Sequence, residues 1–359
     1  MNAIIPNMEN ENISSETNYQ KTLMALFSLK EFEHLDQSQF SIELFPFRKS
    51  GPHSLLVFRT SFGKENEFVI KLPRYINSQI ANEALSCEFA STIKIYSNKE
   101  LSVALPEPIC LKMIDNIPVY VSRFCHGNAF SNYIESLQTT EEFELLFEKC
   151  VNFLINLNKS TAVGTANTAD DTFLDAYIDQ PFKLLCLYFP NAANNLREYI
   201  EQIKTLLKNL NVNIPYCFEH KDFNPYNLKI GTNRELVVLD WEDGIENGLP
   251  LMDFFNLSTL TMRLLTISPL YKTNPTIINT FIDSLKDYIR LYTEACKIPG
   301  EAVDSLFVVF CLRNTALLLD TKRQEIAYSQ SWWYFLEHNY LSDIFIRSLH
   351  TEISHDKNA

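Results

Sequence analysis

The strongest constraint on this 359-residue chain is the stretch 216–256. Two apolar runs of β-strand composition, Pro215–Glu219 and Glu235–Leu239, each end in polar residues. His220, Asp222 and Asn227 follow the first run, and Asp240 follows the second. Asp222 and Asn227 are close enough in sequence to share one short loop around Pro225. Taken singly, Asp, Asn and Pro are ordinary turn residues. Taken with Asp240-Trp241-Glu242 they form a set with a definite chemistry. A carboxylate can accept a hydroxyl proton, while an amide oxygen and a second carboxylate hold a divalent cation, as phosphoryl transfer from ATP requires. Mg²⁺ usually takes one or two protein carboxylates and fills its shell with water and phosphate, so Asn227 and Asp240 suffice.

The pattern His220-x-Asp222-x-x-x-x-Asn227, followed by Leu239-Asp240-Trp241-Glu242, resembles the aminoglycoside phosphotransferase and choline kinase superfamily. The run Asp222-Phe-Asn-Pro-Tyr-Asn227, with Gly248-Leu-Pro-Leu-Met-Asp253, is similar to bacterial members of unassigned substrate. In motif order the resemblance spans about residues 45 to 260. It implies an α+β, protein-kinase-like two-lobed fold, with Asp222 as catalytic base and Asn227 and Asp240 as Mg²⁺ ligands. It also implies bracing roles for His220 and Asp253. The sequence departs from the family at Lys221, where glycine is usual; protein kinases carry a basic residue there.

Upstream, Phe-Val-Ile-Lys71 closes a strand as the family's nucleotide-binding lysine does. Its implied task is to hold the α- and β-phosphates while paired to a helix glutamate. Glu83 and Glu88 are both candidates; spacing favours Glu88. The phosphate-covering loop, Arg48-Lys49-Ser50-Gly51-Pro52-His53-Ser54, has one glycine, so Ser50, Gly51 and Ser54 are its candidate phosphate contacts. The strand ending at Phe124 resembles the hinge, where backbone groups of Ser122 to Phe124 meet adenine. Glu242 and Asp243 add carboxylates that either meet a cationic substrate or line a solvated loop. Trp332, Trp333, Tyr334 and Tyr340 either box a cationic or sugar ligand or belong to a core, the commoner fate of aromatics at helical spacing.

The length exceeds one ordinary core. Residues 1–18 read as a tail without fixed structure and 19–124 as a nucleotide-binding lobe. Residues 125–352 read as a helical lobe with the catalytic loop and substrate site, and 353–359 as a second tail. Tyr19–Phe40 suggests short helices. Strands are expected at 53–60, 67–72, 109–114 and 118–124, with a helix over 76–97. Helices follow at 141–158, 171–188, 192–210, 254–268, 275–296, 301–320 and 331–349, with a loop at 160–169.

With 46% hydrophobic and 21% charged residues the chain is globular. Its net charge of −13 disfavours nucleic acid or an anionic membrane as partner. No Cys-x-x-Cys pair occurs among the eight cysteines, which points to free thiols in a reducing compartment. No secretory h-region and no apolar run of spanning length is present, so a cytoplasmic location is expected. Zinc spacing, a Gly-x-Ser-x-Gly elbow, a Walker loop and Asp-Phe-Gly are all missing. The expected activity is ATP- and Mg²⁺-dependent phosphorylation of a hydroxyl on an amino sugar or aminoglycoside, a choline-like alcohol, or a sugar. The alternative is a pseudokinase that binds nucleotide or scaffolds without turnover, favoured by the sparse glycine loop and by Lys221.

Overall fold

The computed structural model describes residues 13–36, 40–44, 55–63, 66–75, 78–137, 139–274 and 276–320. Ser50, Gly51, Ser54, the C-terminal aromatic residues and the expected helix 331–349 lie outside these. The chain divides into two compact units. One comprises residues up to 128 together with 227–244; the other comprises 129–226 and the chain from 245 onward.

The first unit opens with α1 (Ile13–Phe27), which starts inside the stretch expected to lack structure. Five strands follow: β1 (Phe40–Leu44), β2 (Leu55–Phe62), β3 (Asn66–Pro73) and, after α2 (Gln79–Tyr96), β4 (Pro108–Ile114) and β5 (Ile117–Arg123). They form one antiparallel sheet in the order β1-β2-β3-β5-β4. The first strand was not foreseen: Phe40–Leu44 pairs residue by residue with β2, a long-range contact that so short a run does not announce.

Strand periodicity assigns the two faces of this sheet. Phe68, Ile70 and Leu72 of β3 are buried in one cluster with Leu26, Phe27 and Phe32 and with Val119 and Val121 of β5. Edge-to-face pairs knit the cluster: Phe27–Phe32, Phe27–Phe62 and Phe32–Phe68 have centroids 5.8, 5.0 and 5.6 Å apart. Each such fully buried aromatic contributes roughly 1.5–3 kcal/mol over exposure. Lys71, between Ile70 and Leu72, must therefore point to the opposite face, toward α2. That helix is capped by Ser78, whose side chain accepts from the Ala81 amide. It buries Ala81, Ala84, Leu85, Glu88, Thr92 and Ile95, a stripe at helical spacing that includes one carboxylate.

At the boundary come β6 (Asn128–Ala129) and then α3 (Phe130–Ser136), α4 (Thr140–Thr161) and β7 (Val163–Asn167). The last corrects the loop expected at 160–169. Val163 and Thr165 favour a strand but Gly164, Ala166 and Asn167 do not, and β7 forms because it pairs with β8 (Asn213–Glu219). Between them the helices foreseen at 171–188 and 192–210 form, the first as α5 (Asp171–Leu174), a π-helical turn over Asp175–Asp179 and α6 (Gln180–Tyr188), the second as α7 (Pro190–Leu210). The chain then re-enters the first unit as the hairpin β9 (Leu228–Ile230) and β10 (Leu236–Val238).

Back in the second unit, β11 (Ile245–Gly248) pairs with β8, giving the order β11-β8-β7. Then α8 (Met252–Ile267), α9 (Pro269–Thr273), α10 (Ile277–Cys296) and α11 (Val303–Asp320) complete the described chain. Phe143 and Phe147 of α4 pack on Phe281 of α10, and Phe255 of α8 packs on Phe307 of α11. All eight cysteines are free thiols. No helix among the described residues is long and apolar enough to cross a membrane.

Candidate functional site

In the first unit, Lys71 is the centre of an ion cluster. Its Nζ lies 2.7 and 3.0 Å from the two Glu88 carboxylate oxygens and 2.5 Å from Asp240 Oδ1. Of the two glutamates left open by spacing, Glu88 is the partner; Glu83 is exposed and accepts from Gln79 instead. A signal for this choice was present, since Glu88 sits on the buried stripe of α2 and Glu83 does not. Burial works to lower the Lys71 pKa, but Asp240, Glu88 and Glu242 together hold it well above its ordinary value. Burial pushes Glu88 upward, and Lys71 opposes that shift.

Asp240 follows β10 with φ of 61°, in the left-handed region that non-glycine residues avoid. Trp241, its neighbour, is buried and donates its indole N–H to Val238 O at 3.2 Å, so the turn is pinned from within. Asn227 immediately precedes β9, and the Leu239 amide just after β10 donates to Asn227 O at 2.9 Å. The hairpin thus places Asn227 and Asp240 at the same end of its two strands. Glu242 is pushed up to about 8 by burial and then by Asp240, Glu88 and Asp243. A site that raises a carboxylate this far is short of positive charge. Asn227 and Asp240 offer the hard oxygen donors that Mg²⁺ takes, and its charge would relieve that deficit, so the residues fit the ion. No group of three or more His, Cys, Asp or Glu side chains is arranged for a metal ion among the described residues.

The hinge residues also belong to this unit. Ser122 is buried in β5 opposite Val69. The amides of Arg123 and Phe124 donate to Glu107 O at 2.9 Å and to Glu67 O at 3.0 Å. Those two N–H groups are therefore engaged within the protein. The Phe124 ring lies 4.3 Å from the Arg59 guanidinium carbon and 4.8 Å from Lys229 Nζ.

In the second unit, Asp222 is exposed on the loop after β8. Asn224 orders this loop: its Nδ2 donates to Asp222 Oδ1 at 2.7 Å and its Oδ1 accepts from the Tyr226 amide at 2.9 Å. His220 is fully buried and its Nδ1 accepts from the Asp222 amide at 3.3 Å, while its ring meets Phe223 edge-on. Asp253, in the first turn of α8, accepts from the amides of His220 at 2.7 Å and Lys221 at 2.9 Å. Burial and then Glu219 push Asp253 up to about 8, against those two donors and Arg313.

The departure at Lys221 has a physical account. Its φ is 68°, the left-handed region that glycine occupies without penalty. Lys221 bears that cost while its amide is held by Asp253.

Sequence reasoning missed the layer beneath this loop. Glu219, buried at the end of β8, makes a bidentate ion pair with Arg313 of α11, Oε2 lying 2.9 Å from Nη1 and Oε1 meeting Nη2. Asn158 of α4 donates to Phe218 O at 3.1 Å and accepts from the Tyr292 hydroxyl. Arg313 and Asn158 lie in helical patterns without a motif, and nothing in the sequence ties them to β8.

No protein-family profile matches the sequence, and no curated protein matches it. Solved structures do. Choline kinase from Streptococcus pneumoniae is 11% identical with a TM-score of 0.53, over 93% of this chain and 99% of that one. Macrolide 2′-phosphotransferase from Brachybacterium faecium is 15% identical with a TM-score of 0.51, over 89% and 98%. A glucosamine kinase is 11% identical with a TM-score of 0.50, over 85% and 81%. The chain shares the protein-kinase-like α+β fold of these solved structures.

Proposed function

We propose that this protein is an ATP- and Mg²⁺-dependent kinase that transfers the γ-phosphate to a hydroxyl of a small molecule. The observation that carries the reading is the Lys71 cluster. Lys71 is bonded at once to Glu88 and to Asp240, which is remote in sequence, so that a nearly enclosed ammonium is fixed against one of the two candidate metal ligands. Lys71 holds the α- and β-phosphates, and Glu88 keeps its ammonium oriented. Ser50 and Gly51 contribute phosphate contacts, and Ser122 and Phe124 contribute backbone oxygens toward the base. Asn227 and Asp240 hold Mg²⁺, which when bound offsets phosphate charge. Asp222 orients the acceptor hydroxyl and takes its proton. His220 and Asp253 keep the Asp222 loop in place.

The acceptor class is an amino sugar or aminoglycoside, a choline-like alcohol, or a sugar. Those choices rest on the fold and on the acidic residues Glu242 and Asp243. The free thiols suit a reducing, cytoplasmic setting.

The test pairs binding with turnover. Mg-ATP should raise the melting temperature of both wild type and Asp222→Asn, while phosphoryl transfer to a panel of hydroxyl compounds falls about 10²-fold or more in the variant. Binding without transfer in wild type would establish the pseudokinase instead. Equal transfer by both proteins would remove Asp222 from its role.

A further inference from the structure

Two buried carboxylates flank the start of the Asp222 loop, Glu219 at the end of β8 and Asp253 at the start of α8. Asp253 holds the loop directly, through the amides of His220 and Lys221. Glu219 contacts neither amide, yet its surroundings are shaped to admit it. Gly248, on the neighbouring strand β11, has no side chain at the point where a Cβ would come within 2.3 Å of Glu219 Cβ. Among the described residues the cation bonded to Glu219 is Arg313, whose side chain is 17% exposed and whose two terminal nitrogens grip both carboxylate oxygens. Arg313 also acts electrostatically on Asp253 and on Tyr177 of the π-helical turn. A fork fixed on a carboxylate sets direction as well as charge, and here it fixes the residue immediately before His220.

We propose that Arg313 is a positioning residue for the Asp222 loop. By clamping Glu219 and offsetting the charge beside Asp253, it keeps Asp253 a double acceptor for the His220 and Lys221 amides. Without the guanidinium, the Glu219 carboxylate is left buried and uncompensated beside Asp253, and the two carboxyl groups relax by sharing a proton between them or by parting. Either way an amide bond to the loop weakens, and the left-handed turn at Lys221 loses what holds it. The proposal rests on Asp222 as the reactive carboxylate for its functional consequence, but its structural part does not.

Hydrogen exchange followed by mass spectrometry on the full chain, read at the His220 and Lys221 amides, is the direct test. In Arg313→Met these amides should exchange at least about tenfold faster than in wild type, with the α4 core unchanged. Arg313→Lys, which restores charge without the fork, should recover part of the protection. Arg313→Met/Glu219→Gln removes the stranded buried charge and so guards against a misfolded single variant. It should melt near wild type and regain protection at both amides, because Asp253 no longer faces a second buried carboxylate. With Mg-ATP as the only substrate, ADP release should fall in kcat in Arg313→Met while KM for ATP stays within about twofold. Wild-type protection at both amides in Arg313→Met would overturn the proposal, as would amides that stay fast in the double variant or a uniform rise in exchange across the unit in Arg313→Met. An inactive wild type with the expected exchange pattern would instead count against the kinase reading alone.

Discussion

The Lys71–Glu88 pair allows a prediction in which the size of the effect is worked from the structure. Both side chains are nearly enclosed, 13% and 6% exposed, and they are 2.7 Å apart at closest approach. At an effective dielectric of about 20 the attraction is about 6 kcal/mol, most of it offset by desolvating the two ions. The intact pair is therefore close to neutral for stability, but breaking it is not. Lys71→Met strands Glu88 beside Asp240 and Glu242, and such uncompensated burial costs about 3–5 kcal/mol. Glu88→Gln on that background removes the stranded charge. What remains is the lost contact with Asp240, whose side chain is 45% exposed, a screened interaction of at most about 1 kcal/mol. The double variant should then be about 2–3 kcal/mol more stable than Lys71→Met alone. Urea unfolding without nucleotide at pH 7.5 measures this; at about 1–3 kcal/mol per molar urea the midpoints should differ by about 0.7 M or more. A double variant no more stable than Lys71→Met, or a Lys71→Met loss below about 1 kcal/mol, would show that Glu88 is not held as a buried ion by Lys71.

Three further outcomes follow from the second unit. Lys221→Gly should raise stability by up to about 1 kcal/mol, because relief of the left-handed backbone slightly outweighs the added entropy of an unfolded glycine; a lower melting temperature would contradict that account. Gly248→Ala should cost about 1–3 kcal/mol, because the added Cβ would lie 2.3 Å from Glu219 Cβ, visible as a lower urea midpoint. Asp253 is pushed up to about 8 in the folded protein, against about 3.9 unfolded, so the native state binds the extra proton in between. Its contribution to stability is therefore full below about pH 4 and lost as pH rises through about 8. The melting temperature of wild type should fall from pH 5 to 9, and the slope should flatten in Asp253→Asn.

What this sequence determined by itself was set by short-range rules. Strand alternation in Phe68–Leu72 put Lys71 on the face opposite the aromatic core. The helical stripe of α2 carried Glu88 inward, and the hairpin composition brought Asn227 and Asp240 to one end. Each of these depends on residues near in the chain, where periodicity and turn chemistry are legible. Other features were decided by pairings that no local pattern encodes. β1 and β7 are strands because β2 and β8 offer them edges, Lys221 bears a left-handed backbone because Asp253 holds its amide, and Arg313 meets Glu219 across 94 residues. Burial is the physical reason: a charge or a strained turn is tolerable in the interior only when a partner is already there, and tertiary packing chooses that partner.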